Sequence, residues 1–200
     1  MKFRQLWHAD FMRAYTYIEG NKLKRIINTM RGPGVQAVAV YRFGCWSKSQ
    51  NKFIKIITEP LYYFSRGLIM VMWGIELYRE TEIGAGFYVT HFGGIIVSPL
   101  AKLGSNVTLS QGVTIGVSGQ GEKKGVPIIG NNVYIATGAK LFGKIVIGNN
   151  VKIGPNAVVH KSIPDNAVVV SSPGFKILFY QDDIAKTEEL DLNEKTVVAE

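Results

Sequence analysis

Three histidines are the side chains of this 200-residue chain whose imidazoles can take up and release a proton near neutral pH. His91 lies in the run His91-Phe92-Gly93-Gly94-Ile95-Ile96-Val97, between turn-forming glycines and an apolar stretch. His8 falls in a helical region with no evident partner, and His160 reads as solvated at the end of a repeat. No His, Cys, Asp and Glu stand at metal-ligand spacing. A second candidate is the stretch Val117–Val126, rich in Gly119, Gly121, Lys123, Lys124 and Gly125. It reads as a loop thrown out from a rigid scaffold, where function often resides. Cys45, the single cysteine, excludes an internal disulfide framework and points to a reducing compartment. Trp7, His8 and Asp10 stand where a secretory leader would run apolar, so the expected location is cytoplasmic.

The element that must position these groups shows itself as a period of six. Val97, Leu103, Leu109 and Ile115 form one ladder, and Ile129, Ile135, Leu141, Ile147, Ile153 and Val159 form another. Six fits neither a helix nor a plain strand. It predicts a β-helix in which short strands turn a corner every six residues, three strands to a coil, with the apolar residue inside. The step from Ile115 to Ile129 is fourteen residues, which accommodates the extruded loop. Upstream, apolar spacing predicts helices over residues 1–31 and 35–49, broken at Gly32-Pro33-Gly34, and an apolar helix over 53–76. Lys55, Glu59, Pro60 and Arg66 argue against that helix spanning a membrane; it suits a buried or trimer-facing position, or contact with a membrane surface. The expected organisation is a helical region at 1–80, a β-helix at 81–180 and an acidic tail at 181–200.

Charge is uneven. Residues 1–80 carry 13 Lys and Arg against 5 Asp and Glu, and residues 182–200 carry 2 against 7. The basic N-terminal part suits an anionic membrane surface or an anionic substrate. No recognised nucleic-acid motif accompanies it, so nucleic acid is not expected as a partner.

Together, His91 to Val97, Gly112-Val113-Thr114-Ile115-Gly116, the loop, and Ile135-Ala136-Thr137-Gly138-Ala139-Lys140 resemble the serine O-acetyltransferase branch of the hexapeptide acyltransferases. Pro33-Gly34-Val35-Gln36-Ala37 and Tyr41-Arg42 look like the end of that branch's helical domain. The resemblance implies a left-handed parallel β-helix behind an N-terminal helical region, a homotrimer, and transfer of an acetyl group from acetyl-CoA to a hydroxyl. Such chemistry needs a base for the hydroxyl, a donor for the oxyanion and alignment of the two substrates. By the same resemblance His91 is the base and Glu76, fifteen residues upstream, replaces the Asp that steadies it. Gly116, Val117, Thr137 and Pro155 line the coenzyme groove, with Lys152, Lys161 and Lys176 near the coenzyme and its phosphates. Glu19 and Thr90 fall at acceptor-facing positions.

Departures bear on the acceptor. Thr90 stands where the branch has Asp, and Gly125-Val126 where it has an Arg-His pair whose Arg grips the serine carboxylate. The expected acceptor is therefore a sugar hydroxyl on a nucleotide sugar, lipid-linked oligosaccharide or polysaccharide. Such acetyltransferases of polysaccharide biosynthesis have a shortened, basic, apolar N-terminal region. The alternatives are a serine O-acetyltransferase with a rebuilt acceptor site and a non-catalytic β-helix scaffold.

Overall fold

The computed structural model describes residues 3–171, so Lys176 and the acidic tail lie outside the described residues. Four helices lead: α1 (Phe3–Thr16), α2 (Lys22–Arg31), α3 (Pro33–Lys48) and α4 (Lys52–Trp73). The single helix expected over residues 1–31 is two. The chain breaks at Gly20, and Asn21 caps α2 by accepting a 2.9 Å hydrogen bond from the Lys24 amide. Pro33 opens α3 at its first position, where a missing N–H costs nothing. Asn51 caps α4, and Gly74 ends it in the left-handed conformation.

Among the described residues, fourteen two- or three-residue strands follow, in three parallel sheets. Sheet 1 is β1 (Ile75–Glu76), β4 (Ile95–Val97), β7 (Thr114–Gly116), β10 (Lys140–Phe142) and β13 (Val158–Val159). Sheet 2 is β2 (Glu82–Ile83), β5 (Lys102–Leu103), β8 (Ile128–Ile129) and β11 (Val146–Ile147). Sheet 3 is β3 (Tyr88–Val89), β6 (Thr108–Leu109), β9 (Tyr134–Ile135), β12 (Lys152–Ile153) and β14 (Val168–Val169). Each sheet takes every third strand, which is the topology of a three-sided parallel β-helix. All ten ladder residues are buried inside the prism. A second inward series precedes them by two residues: Val107, Val113, Val133, Ala139, Ile145, Val151 and Ala157. The first pairing joins Ile75 to Ile95, ahead of the expected start at residue 81.

Asparagines hold the coils in register. Asn106, Asn132, Asn150 and Asn166 all adopt φ between 56° and 61°. Asn is among the few side chains that tolerate this region. Their amides bond in a column, each Nδ2 donating to the next Oδ1 at 2.9–3.1 Å.

The helices sit on the first coil through a buried ion pair. Arg42 donates to Asp10 at 2.7 Å and to the carbonyls of Ile83 and Gly84, and Asp10 also accepts from the Phe87 amide at 2.8 Å. Burial pushes the Asp10 carboxyl up from its ordinary value, against the pull of Arg42.

Candidate active site

Hydrogen-bond register places His91. Amides of Thr90, Ser110 and Ala136 donate to Leu109, Ile135 and Ile153 at 2.9–3.0 Å, so these three are equivalent corner positions. Amides of Gly112, Gly138 and Asn156 donate to Gly93, Gln111 and Thr137 at 2.8–2.9 Å, which makes Gly93, Gln111 and Thr137 equivalent in turn. Ser110 is followed directly by Gln111, and Ala136 by Thr137. Between Thr90 and Gly93 stand two extra residues, His91 and Phe92. They are an inserted pair, pushed out of the edge between sheets 3 and 1, and both side chains are exposed.

The bulge is fixed from behind. Gly93 and Gly94 take φ of 100° and 65°, which a side chain would resist. The Gly93 amide donates to the Trp73 carbonyl at the end of α4 (2.8 Å), and the Ile95 amide to Gly74 (3.0 Å). Phe92 packs edge-on to Trp73, with ring centroids 5.4 Å apart. Trp73 in turn donates its indole N–H to Gln36 at 3.1 Å. The His91 imidazole has no hydrogen-bond partner among the described residues and faces solvent.

Glu76 lies on the outward column of sheet 1, paired in register with Ile96. Its carboxylate accepts from the Tyr78 hydroxyl and lies 3.5 Å from Arg66, which also stacks over the Tyr78 ring. This bond to Glu76 raises the Tyr78 phenol above its ordinary value. Within the described residues Glu76 is joined to Arg66 and Tyr78, and no hydrogen bond links it to His91.

The other expected site residues divide among three places. Thr137 and Pro155 lie on the His91 edge, one below the other. Gly116, Val117 and Lys161 lie on the edge between sheets 1 and 2, beside the extruded loop. Lys152 is exposed on sheet 3, in register with Tyr134. Thr90 spends its hydroxyl on Leu109 and Ser110, at 3.4 and 3.3 Å. Glu19 is exposed in the α1–α2 turn.

Two residues beyond those expected stand on this edge. Gln111, at the position of Gly93 one coil on, buries its Oε1 without a hydrogen-bond partner. Lys140 donates its ammonium to the Gly112 carbonyl and to Thr114. Register counting could have found Gln111, because the corner that carries Thr137 recurs 26 residues earlier.

The loop is pinned rather than loose. Ser118 and Gly125 exchange two backbone hydrogen bonds, around a short 3-10 turn at Gly121–Lys123. Gly125 presses on Lys144, where an added Cβ would come within 2.7 Å of the Lys144 Cβ. No group of three or more His, Cys, Asp or Glu among the described residues could hold a metal ion.

The family described as Bacterial transferase hexapeptide (six repeats) matches residues 127–161. With the coil topology, this match likens the β-helix to that class of transferases. Within that class the chain is similar to serine acetyltransferases. It is 36% identical over 142 residues to the serine acetyltransferase of Mycobacterium tuberculosis, covering 71% of this chain and 59% of that one. The chain thus spans about three-fifths of that relative's length. The crystal structure of Neisseria gonorrhoeae serine acetyltransferase in complex with serine is 26% identical, with TM-score 0.68, over 86% of this chain and 67% of that one. Brucella abortus serine acetyltransferase in complex with coenzyme A, 24% identical with TM-score 0.70 over 86% of this chain and 66% of that one, shares the fold. These comparisons favour the serine alternative over the sugar hydroxyl and show nothing of a polysaccharide branch.

Proposed function

We propose that this chain transfers an acetyl group from acetyl-CoA to a hydroxyl acceptor, with L-serine the acceptor its relatives favour. The observation that carries the reading is the His91-Phe92 insertion. It presents a free imidazole at a fixed point on the edge that also carries Gln111, Thr137 and Pro155. In its neutral form, the imidazole takes the acceptor's proton as the hydroxyl oxygen attacks the thioester carbonyl, and returns that proton to the departing sulfur. Glu76 favours the imidazolium by its charge, while Arg66 and Tyr78 hold it in place.

The edge fits a coenzyme A thioester in kind. The Thr137 hydroxyl is exposed, the buried Gln111 Oε1 lacks a donor, and Lys152 and Lys161 are exposed cations on the later coils. The coenzyme supplies the activated acetyl group; the chain supplies the base, the alignment and the cations. A left-handed coil and a homotrimer belong to the same reading, and a monomer mass by light scattering would remove the trimer.

One observation favours a second reading, transfer to a sugar hydroxyl. Neither Gly125 nor Val126 offers a charged side chain, and Thr90 is engaged within the coils. A serine carboxylate would have to rely on backbone N–H groups. The deciding experiment follows coenzyme A release with L-serine and with a panel of nucleotide sugars and oligosaccharides. Saturable turnover of serine supports the first reading. Turnover confined to sugars replaces it with the second, and the absence of release with every acceptor leaves only a scaffold.

A further inference from the structure

The longest helix among the described residues is turned inside out. α4 buries Thr58 and Tyr62 against α3, with the Ser47 and Thr58 hydroxyls 2.8 Å apart and Ser47 donating to Glu59. Its large apolar residues point the other way. Phe53 is 83% exposed, Val71 82%, Ile57 73%, Ile56 70% and Phe64 66%. At about 100° per residue, Phe53, Ile57, Phe64 and Val71 fall on one line along the helix, with Leu61 and Leu68 beside it. Lys55, Glu59 and Arg66 lie off this line and are only partly exposed. The outward line is therefore uncharged over the full 22-residue helix. An apolar surface of this extent marks an interaction face.

Charge identifies what covers it. From Phe3 to Trp73 there are 11 Lys and Arg against Asp10, Glu19 and Glu59. Asp10 is spent on Arg42, and Glu59 on Arg79 at 2.7 Å. The free charge of the helical layer is thus overwhelmingly positive. Lys52 stands exposed at the start of α4, and Lys48, exposed just before it, lies 3.8 Å from Glu80. α2 repeats the pattern, exposing Leu23, Ile27 and Met30 beside Lys22, Lys24 and Arg31, with no acidic residue. A second copy docked face to face would set these cations against each other. An anionic bilayer supplies the opposite charge and accepts an uncharged helix face lying in its plane. No described helix is long and apolar enough to cross a membrane, so the contact is one of lying on the surface.

We propose that the outward face of α4 docks on an anionic lipid surface, with the lysines at its N-terminal end meeting the head groups. This does not depend on the acyl-transfer reading, and its test needs no turnover. The full chain is floated with vesicles of phosphatidylcholine alone and of equal parts phosphatidylcholine and phosphatidylglycerol. Binding to the mixed vesicles should be roughly tenfold or more tighter, weakening as salt screens the attraction. Phe53→Ser with Phe64→Ser should abolish it without changing Tm, because both side chains are already in water. Lys52→Glu should weaken the preference for the anionic lipid. Failure to float with the mixed vesicles overturns the proposal. So does a light-scattering mass, measured without vesicles, that falls in the Phe53→Ser, Phe64→Ser variant, because a second copy would then be the cover.

Discussion

At the scale of single residues, His91 is unusual in being chemically free yet mechanically fixed. Its imidazole has no hydrogen-bond partner among the described residues, while its neighbours Phe92 and Gly93 are tied to Trp73. Replacing it should therefore separate chemistry from folding. His91→Ala is expected to lower coenzyme A release by about 10²–10⁴-fold. Tm should not move, since an exposed side chain without partners contributes within about 0.5 kcal/mol. Glu76→Gln should cost less, as Glu76 makes no hydrogen bond to His91 and pairs instead with Arg66 and Tyr78. The reverse case is Arg42. Arg42→Met leaves the Asp10 carboxylate buried and unpaired, at a cost of about 3–5 kcal/mol in urea unfolding. Replacing both partners, Asp10→Leu with Arg42→Met, should recover much of that loss. The motif around His91 was legible in sequence; its status as an insertion was not. Leu77, Ile83 and Val89 are a ladder of their own at six-residue spacing, but the eight-residue step from Val89 to Val97 hides its continuity. The Asp10–Arg42 pair lay beyond reach because 32 residues separate partners that only packing brings together.

Among elements, the join between α4 and the coils carries the site. Trp73 ends the helix, accepts from Gly93 through its carbonyl and touches Phe92 through its ring. Gly74 makes the turn at φ 60°. Gly74→Ala is expected to cost about 1–2 kcal/mol from the left-handed backbone alone. It should also raise the KM for the acceptor, because the bulge loses its seat. At the far side of α4, Glu59 receives Arg79, and that hydrogen bond holds its carboxyl below the ordinary carboxylate range. A lowered pKa stabilises the fold above the unfolded value and loses that effect as pH falls through the folded one. The Tm difference between wild type and Glu59→Gln should therefore be present at pH 7 and vanish on acidification below the lowered pKa. Helices were readable from Gly32-Pro33-Gly34 and apolar spacing. The turn at Gly20-Asn21 was missed, because apolar spacing runs on to Ile18 and nothing after it reads as strongly as the proline at position 33.

The molecule as a whole is a stack, and most of that was legible because one residue in six repeats. What the ladder could not reveal was direction: which edge of the prism carries chemistry follows from where residues are added, not from where they recur. Three columns run along the axis, of apolar side chains, corner hydrogen bonds and asparagine amides. Each coil contacts only the coils next to it, so stability is close to a sum of neighbouring terms. Asn150→Ala, in mid-column, should cost more than the same change at Asn166, since Asn150 bonds on both sides. Urea midpoints would rank them.

The step from Ile128 to Val146 is eighteen residues, and it is the same from Tyr134 to Lys152 and from Lys140 to Val158. This regularity makes the lower part of the prism a rack with interchangeable shelves. A duplicated segment of that length, spliced in after Ile145, would meet the same neighbours above and below. The protein would grow longer by one strand spacing, about 4.8 Å, while the His91 corner, several coils away, kept its geometry. The length of the stack and the shape of the His91 corner are thus uncoupled, whereas Lys152, Pro155 and Lys161, beyond the splice, would be carried one coil further from it.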